Sequence, residues 1–331
     1  MSFESSPQLT NKKEVLSGVE IFKTKEGDTV TLKWNIVRPK ILENKASASP
    51  NKGAVVLFLP GVALESDSGP VLESAQGFAD ASQNTTYSIS TRIDNPNTKN
   101  SQEAQAEAIS QFINKQKLND FTVVGNSQGA NKSMDLVAQL EQEGKNVRGL
   151  ILTNPAGIYE QDPKELTKNF FKDATLETPD TLLKQEIKLD SIKNIGEAIK
   201  LGNSVSLGIV KEAVSHPGEV IRRVKRESEE AATVNIHAKD IKTRIVIVLG
   251  ARDVAFDSNK IIPYTSHGKS LRAQEMRGKE LKKLFQNSDG IKVIEATKLS
   301  NHGLHYMRGD EVAETSLYML NRMERREKIK Q

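Results

Sequence analysis

Cysteine is missing from the whole 331-residue chain. Disulfides, thiolate nucleophiles and cysteine-ligated zinc are therefore excluded, and a reducing compartment is favoured. No stretch approaches the roughly 18 to 20 apolar residues that a bilayer-spanning helix needs. The opening residues Met1-Ser2-Phe3-Glu4-Ser5-Ser6 have neither a cationic start nor an apolar run, so no secretory signal is expected. Cytoplasmic placement is the expectation that follows. Charge of one sign is lacking too: 47 basic and 43 acidic side chains leave a formal +4, which does not point to nucleic acid. Apolar material, by contrast, is ample. Hydrophobic residues make up 37% and charged residues 27%, enough to bury a sizeable core and to exclude a mainly disordered chain. The length suits one large domain carrying an insertion.

Two strand-like segments come first, at 19–25 and 29–38, with the turn residues Glu26-Gly27-Asp28 between them, and they predict a β-hairpin. Residues 44–52 are small and polar and read as an exposed loop. Ala54-Val55-Val56-Leu57-Phe58-Leu59 is a continuous apolar run, the pattern of a strand buried on both faces of a mainly parallel sheet. Helix and strand periods then alternate: a helix near 71–81, a strand at 87–93, a helix at 102–117, a strand at 121–124, a helix at 127–140 and a strand at 147–153. Such alternation implies right-handed βαβ units and a three-layer α/β architecture. From about 158 to 240 the strand signal disappears, and helical segments replace it at 164–173, 180–188, 195–215 and 218–232. Alternation resumes with a strand at 244–249, a helix near 270–285, a strand at 291–296 and a last helix at 311–326. The economical reading is an α/β core built from 1–157 and 241–331. A helical insertion at 158–240, longer than ordinary core connections, interrupts it.

Gly125-Asn126-Ser127-Gln128-Gly129 matches G-x-S-x-G, and its context carries more weight than the match. A strand ends just before it and a helix begins just after, the setting of a nucleophile elbow. A sharp strand-to-helix turn strains the serine backbone and lifts Oγ clear of the sheet. Side chains two residues to either side would collide in so tight a turn, which accounts for Gly125 and Gly129. The helix N-terminus directs free N–H groups at the reaction centre, so the Gln128 N–H is one expected oxyanion donor. A second is expected from the loop after the strand at 54–59, where Pro60-Gly61-Val62-Ala63 follows; the Val62 N–H is assigned to it. A phosphate-loop reading of the same segment fails. Ala130 stands where a second glycine is required, and Lys132-Ser133 is out of register.

A serine hydroxyl needs a base to take its proton, and the base needs a third group to orient it. Of the five histidines, only His302 and His305 follow a predicted core strand and precede the last helix. His302, between Asn301 and Gly303, is the preferred base, with His305 as a pocket residue. The acid should end a strand between serine and histidine. Asp253 follows the strand at 244–249 and is preferred over Asp257, because a position nearer the strand end is held more rigidly. Asn154, at the end of an earlier strand, lacks the charge to orient an imidazolium. Asn126, Asp257 and His305 are expected to support the reacting groups from behind.

With these residues in place the chain resembles the α/β-hydrolase superfamily over nearly its whole length. The likeness rests on the leading hairpin, Leu59-Pro60-Gly61, Gly125-Asn126-Ser127-Gln128-Gly129-Ala130, Leu249-Gly250-Ala251-Arg252-Asp253 and Asn301-His302-Gly303. It implies an acid at Asp253 and a helical cap or lid over the site at 158–240. Members often carry His-Gly at the oxyanion loop and Gly-His at the base, where this chain has Pro60-Gly61 and Asn301-His302. Neither departure removes a reacting atom.

The insertion carries an apolar stripe (Ile195, Ile199, Val205, Ile209, Val210, Val214) and a basic cluster of Arg222, Arg223, Lys225 and Arg226. The stripe suits an acyl pocket or ordinary core packing. The cluster reads as a solvated helix face, with an anionic group or membrane surface as its alternative. No cofactor is expected, and no histidine pair has the helix-facing spacing of a metal site. The leading expectation is hydrolysis of a carboxylic ester or thioester of a small-molecule acyl substrate. Acyl transfer through the same acyl-enzyme and a non-catalytic ligand-binding homologue are the alternatives.

Overall fold

The computed structural model describes residues 16–40, 54–61, 65–93, 95, 98, 101–160, 162–172, 225–226, 228–250, 281–296 and 309–330. Its centre is an eight-stranded sheet of β1 (Leu16–Lys23), β2 (Thr29–Val37), β3 (Val55–Leu59), β4 (Thr85–Ile93), β5 (Asp120–Asn126), β6 (Asn146–Thr153), β7 (Ile245–Gly250) and β8 (Ile291–Ala296). The strand order is β1-β2-β4-β3-β5-β6-β7-β8. β2 runs antiparallel to both its neighbours, and every pair from β4 onward is parallel. The expected architecture is thus found: a mainly parallel sheet led by an antiparallel hairpin. Gly27 supplies the hairpin's turn at φ +88, a conformation costly to any residue with a Cβ.

Composition explains which strands lie inside. β3 and β7 read VVLFL and IVIVLG, and every residue of both is buried. Their alternate side chains feed two separate cores. Leu57, Leu59, Ile245, Ile247 and Leu249 join one, while Val56, Phe58, Val246 and Val248 join the other. Helices α2 (Ser101–Lys115) and α3 (Gln128–Gln142) cover the first core through Ile109, Phe112, Met134 and Val137. Helix α1 (Gly69–Ser82) covers the second through Val71 and Phe78, together with the last helix through Val312 and Leu320. That last helix spans Gly309–Lys330, longer at both ends than the expected 311–326. Three layers result, with β3, β5 and β7 doubly covered.

The chain leaves the sheet after β6 into α4 (Pro163–Lys172) and comes back through the helical residues 228–231 and a 3-10 turn at Ala238–Asp240. The two stems meet. Ala156, Leu166, Ala231 and Ala232 form one small buried cluster, and the Asn235 N–H donates to the Gly157 carbonyl at 2.8 Å. Ala238 and Ile241 continue into the core shared by α2 and α3. The stretch 173–224, holding the apolar stripe, Arg222 and Arg223, lies outside the described residues. Lys225 is described, and its ammonium stands 3.9 Å from the Glu229 carboxylate on an exposed surface. Among the described residues, no helix is long and apolar enough to cross a membrane.

Candidate active site

Parallel strands deliver their carboxyl ends to a common edge. Leu59 pairs with Gly125, Asn126 with Thr153, Thr153 with Val248, and Gly250 with Ala296. Ser127 sits at the centre of that edge, after β5 and before α3, in a left-handed conformation at φ 52, ψ −121. A serine in this region of backbone space is strained by about 1–3 kcal/mol, and it persists only where its surroundings over-determine it. Here they do. The Ser127 N–H donates to the Thr153 carbonyl at 2.9 Å, and its own carbonyl accepts from Ala130 at 3.0 Å and from Ala156 at 3.1 Å. Strand β6, helix α3 and the segment that leaves β6 all hold the one residue.

The flanking glycines are steric requirements. A Cβ on Gly129 would overlap the Leu59 carbonyl oxygen and lie 2.5 Å from that of Pro60. A Cβ on Gly125 would overlap the Ser133 hydroxyl and lie 2.6 Å from the Ala130 Cα. The end of β3 therefore presses directly on the first turn of α3. Gly61 continues this contact, since a Cβ there would stand 3.1 Å from the Ser127 Cβ and 3.2 Å from the Asn126 Oδ1. Asn126 also faces β6, donating from Nδ2 to the Thr153 hydroxyl at 3.0 Å and to its carbonyl at 3.3 Å. It braces the turn between β6 and the loop after β3.

Gln128 opens α3, so its N–H has no carbonyl one turn earlier to bond and points out of the helix end. Its side chain is buried, and among the described residues neither Oε1 nor Nε2 meets a hydrogen-bond partner. Val62, the other expected oxyanion donor, lies outside the described residues, one position beyond Gly61. Asp253, Asp257, His302 and His305 also lie outside them. What is described is where their strands end. β7 stops at Gly250 and β8 at Ala296, both on the edge that carries Ser127.

Asn154 has a role that its lack of charge concealed. It is buried at φ 43, and its Oδ1 accepts the Gly250 N–H at 2.6 Å. Its own N–H donates to the Val248 carbonyl at 2.8 Å. Asn154 thereby pins the end of β7, the strand from which Asp253 departs. The sequence signal was its type, since asparagine tolerates left-handed backbone better than most residues.

Asp135 was also missed. It lies eight residues along α3 from Ser127, roughly 12 Å by helical rise, and so is no reacting group. It is buried, it accepts from the Asn235 Nδ2 at 2.7 Å, and the same amide donates to the Asn131 Oδ1 at 2.6 Å. Burial pushes its carboxyl up to about 7; the Asn235 hydrogen bond and the nearby His237 oppose the rise, while Glu103 and Glu230 add to it. It borders a cavity of about 410 Å³ shared with Glu103, Glu107 and His237. His237 is engaged there, 3.2 Å from the Glu103 carboxylate and 3.6 Å from that of Asp240. A carboxylate between Met134 and Leu136 in a helix otherwise buried along that stretch was the available signal. Among the described residues, no cluster of histidine and carboxylate side chains could hold a metal ion.

Neither a protein-family model nor a curated protein matches the chain by sequence. Solved structures do match by shape. A bromoperoxidase from Bacillus anthracis superposes with a TM-score of 0.55 at 10% identity, covering 92% of this chain and 100% of that one. The α/β hydrolase MGS-M2 from a Medee basin deep-sea metagenome gives 0.54 at 13% identity, over 91% and 97% of the two chains. An esterase from Exiguobacterium antarcticum gives 0.53 at 12% identity, over 91% and 98%. Strand order, the turn at Ser127 and these likenesses converge: the chain has the α/β-hydrolase fold.

Proposed function

We propose that this protein is a serine hydrolase that cleaves a carboxylic ester, or a related acyl bond such as a thioester, of a small-molecule substrate. Ser127 is the nucleophile, His302 the base and Asp253 the acid that orients it. The observation that carries the reading is the strained backbone of Ser127 at φ 52, ψ −121, clamped from three sides at the carboxyl edge of the sheet. Such strain is maintained where a hydroxyl must stand clear of the sheet for a base.

In this reading His302 takes the Ser127 proton as Oγ attacks the acyl carbonyl. The oxyanion that forms receives N–H donors from Gln128, at the positive end of α3, and from Val62. Asp253 holds the imidazole in the correct tautomer and stabilises its cation. His302 then protonates the departing alcohol or thiol, and water, deprotonated by the same imidazole, releases the acid from the acyl-enzyme. The stretch between the paired stems at Leu166 and Ala231 serves as the cap that walls the acyl pocket. An esterase stands among the structural neighbours, beside a bromoperoxidase, and acyl-bond cleavage is the reading adopted for this chain.

A fluorophosphonate probe tests it. By intact mass, the protein gains one phosphonate and Ser127→Ala gains none. Equal labelling of the two proteins refutes the assignment.

A further inference from the structure

Thr153, the last residue of β6, is 1% exposed and bonds three consecutive residues of the turn at Ser127. Its carbonyl accepts the Ser127 N–H at 2.9 Å. Its hydroxyl donates to the Gly125 carbonyl at 3.3 Å and accepts from the Asn126 Nδ2 at 3.0 Å. The parallel register that sets Asn126 beside Thr153 brings these groups together. Any residue at this position could supply the carbonyl bond. The hydroxyl bonds need threonine or serine. β6 reaches this point through Leu150, Ile151 and Leu152, all fully buried, so packing alone would be served by valine, which matches the shape of threonine without burying a hydroxyl.

The hydroxyl also decides which way the Asn126 carboxamide faces. The two ends of a carboxamide have nearly the same shape, so hydrogen bonding orients it. A hydroxyl that gives its proton to Gly125 offers Asn126 a lone pair, and a lone pair takes only Nδ2. The Thr153 carbonyl, 3.3 Å from the same Nδ2, adds to that preference. Oδ1 is thereby turned toward the loop after β3, where it stands 3.2 Å from the space that a Cβ on Gly61 would fill. One hydroxyl thus links the end of β5, the residue before Ser127 and the start of that loop.

We propose that the Thr153 hydroxyl is a positioning group for the nucleophile, holding the turn, through Asn126 and the Gly125 carbonyl, so that Ser127 keeps its placement against the loop after β3. It touches no reacting atom. The proposal rests on Ser127 being the nucleophile. A reacting group displaced by an ångström or less loses rate rather than substrate affinity, so the effect falls on kcat.

The test compares the unaltered protein with Thr153→Val, Thr153→Ser, Asn126→Ala and the double variant Thr153→Val/Asn126→Ala, each checked for folding by circular dichroism. Hydrolysis of p-nitrophenyl butyrate gives kcat and KM, and the rate of fluorophosphonate labelling is the second readout. Thr153→Val should lower kcat and the labelling rate by about tenfold or more, with KM changed by less than about threefold. Thr153→Ser keeps the hydroxyl and should stay within about threefold of the unaltered kcat. Asn126→Ala breaks the same chain of bonds from its other end and should cost about tenfold, and adding Thr153→Val to it should cost less than about threefold more, because the two residues act in one network. An unchanged kcat in Thr153→Val, a loss carried by KM, a serine variant no better than valine, or losses that multiply in the double variant each overturns the proposal. Should Thr153→Val not fold, Thr153→Ser and Asn126→Ala decide: a near-normal rate in the first with a loss in the second supports it, and any other pairing overturns it. If Ser127 takes up fluorophosphonate equally fast in every variant, this inference alone fails. If the unaltered protein takes up none, the hydrolase reading fails with it.

Discussion

A side chain beginning on Gly61 would stand 3.1 Å from the Cβ of Ser127, so the start of the loop after β3 rests against the turn at Ser127 with no free room for a methyl group between them. Gly129 makes the tighter contact, against the carbonyls of Leu59 and Pro60. The two positions should therefore respond differently. Gly61→Ala needs the loop to yield by a few tenths of an ångström and, if the loop supplies the proposed oxyanion donor, should lower kcat about tenfold or more, with little loss of stability. Gly129→Ala must displace backbone and should cost about 3 kcal/mol or more, in the range of severe overpacking. Urea unfolding and ester kinetics on the pair check this. Equal stability losses would refute the distinction.

Asp135 makes stability depend on pH. Its folded pKa, raised from 3.8 to about 7, means that the folded chain keeps a proton which the unfolded chain has released. The contribution of Asp135 to stability is therefore greatest below about pH 4, falls as pH rises from about 4 to about 7, and is level beyond that, by at most about 1.4 kcal/mol per pH unit. Asp135→Asn has nothing to titrate, and its amide oxygen can still accept from Asn235. The variant should gain on the unaltered protein between pH 5 and pH 8. Urea midpoints at the two pH values decide it, and a constant difference between the proteins would count against the assignment.

Under the proposed triad, Asp253→Asn should reduce kcat by roughly 10⁴ with the circular dichroism spectrum unchanged, because a neutral amide stabilises the wrong imidazole tautomer. Asp257→Asn should do little. His302→Ala should be severe and His305→Ala mild. A larger loss at Asp257 or His305 would reassign the acid or the base to the neighbouring position.

The paired stems allow the proposed cap to be tested by deletion. Leu166, Ala231 and Ala232 pack with Ala156, and Asn235 bonds Gly157, so a Gly/Ser linker in place of 173–224 leaves those contacts intact. The shortened protein should fold, by circular dichroism, and still react slowly with a small activated ester. Its discrimination among acyl chain lengths should collapse, because each methylene contributes about 0.8 kcal/mol only where a wall buries it. An unchanged chain-length preference would place specificity in the core loops.

Much of this protein follows from residues that are neighbours in the chain. VVLFL and IVIVLG read as doubly buried strands because an unbroken apolar run suits a strand covered on both faces. The turn at Ser127 was legible because glycine on both sides, after a strand and before a helix, is a local steric demand. Tertiary structure alone decided what happens to polar side chains. The Asp135 carboxyl is pushed up to about 7 because the fold buries it, against the opposing hydrogen bond from Asn235 one hundred positions away. Asn154 pins β7 because the register of β6 and β7 brings Gly250 to its side chain. Gln128 is left with both ends of its amide unpaired by burial that its sequence neighbours do not announce. Backbone conformation and hydrophobic period depend on the next few residues, whereas desolvation and hydrogen bonding depend on whatever the fold brings near.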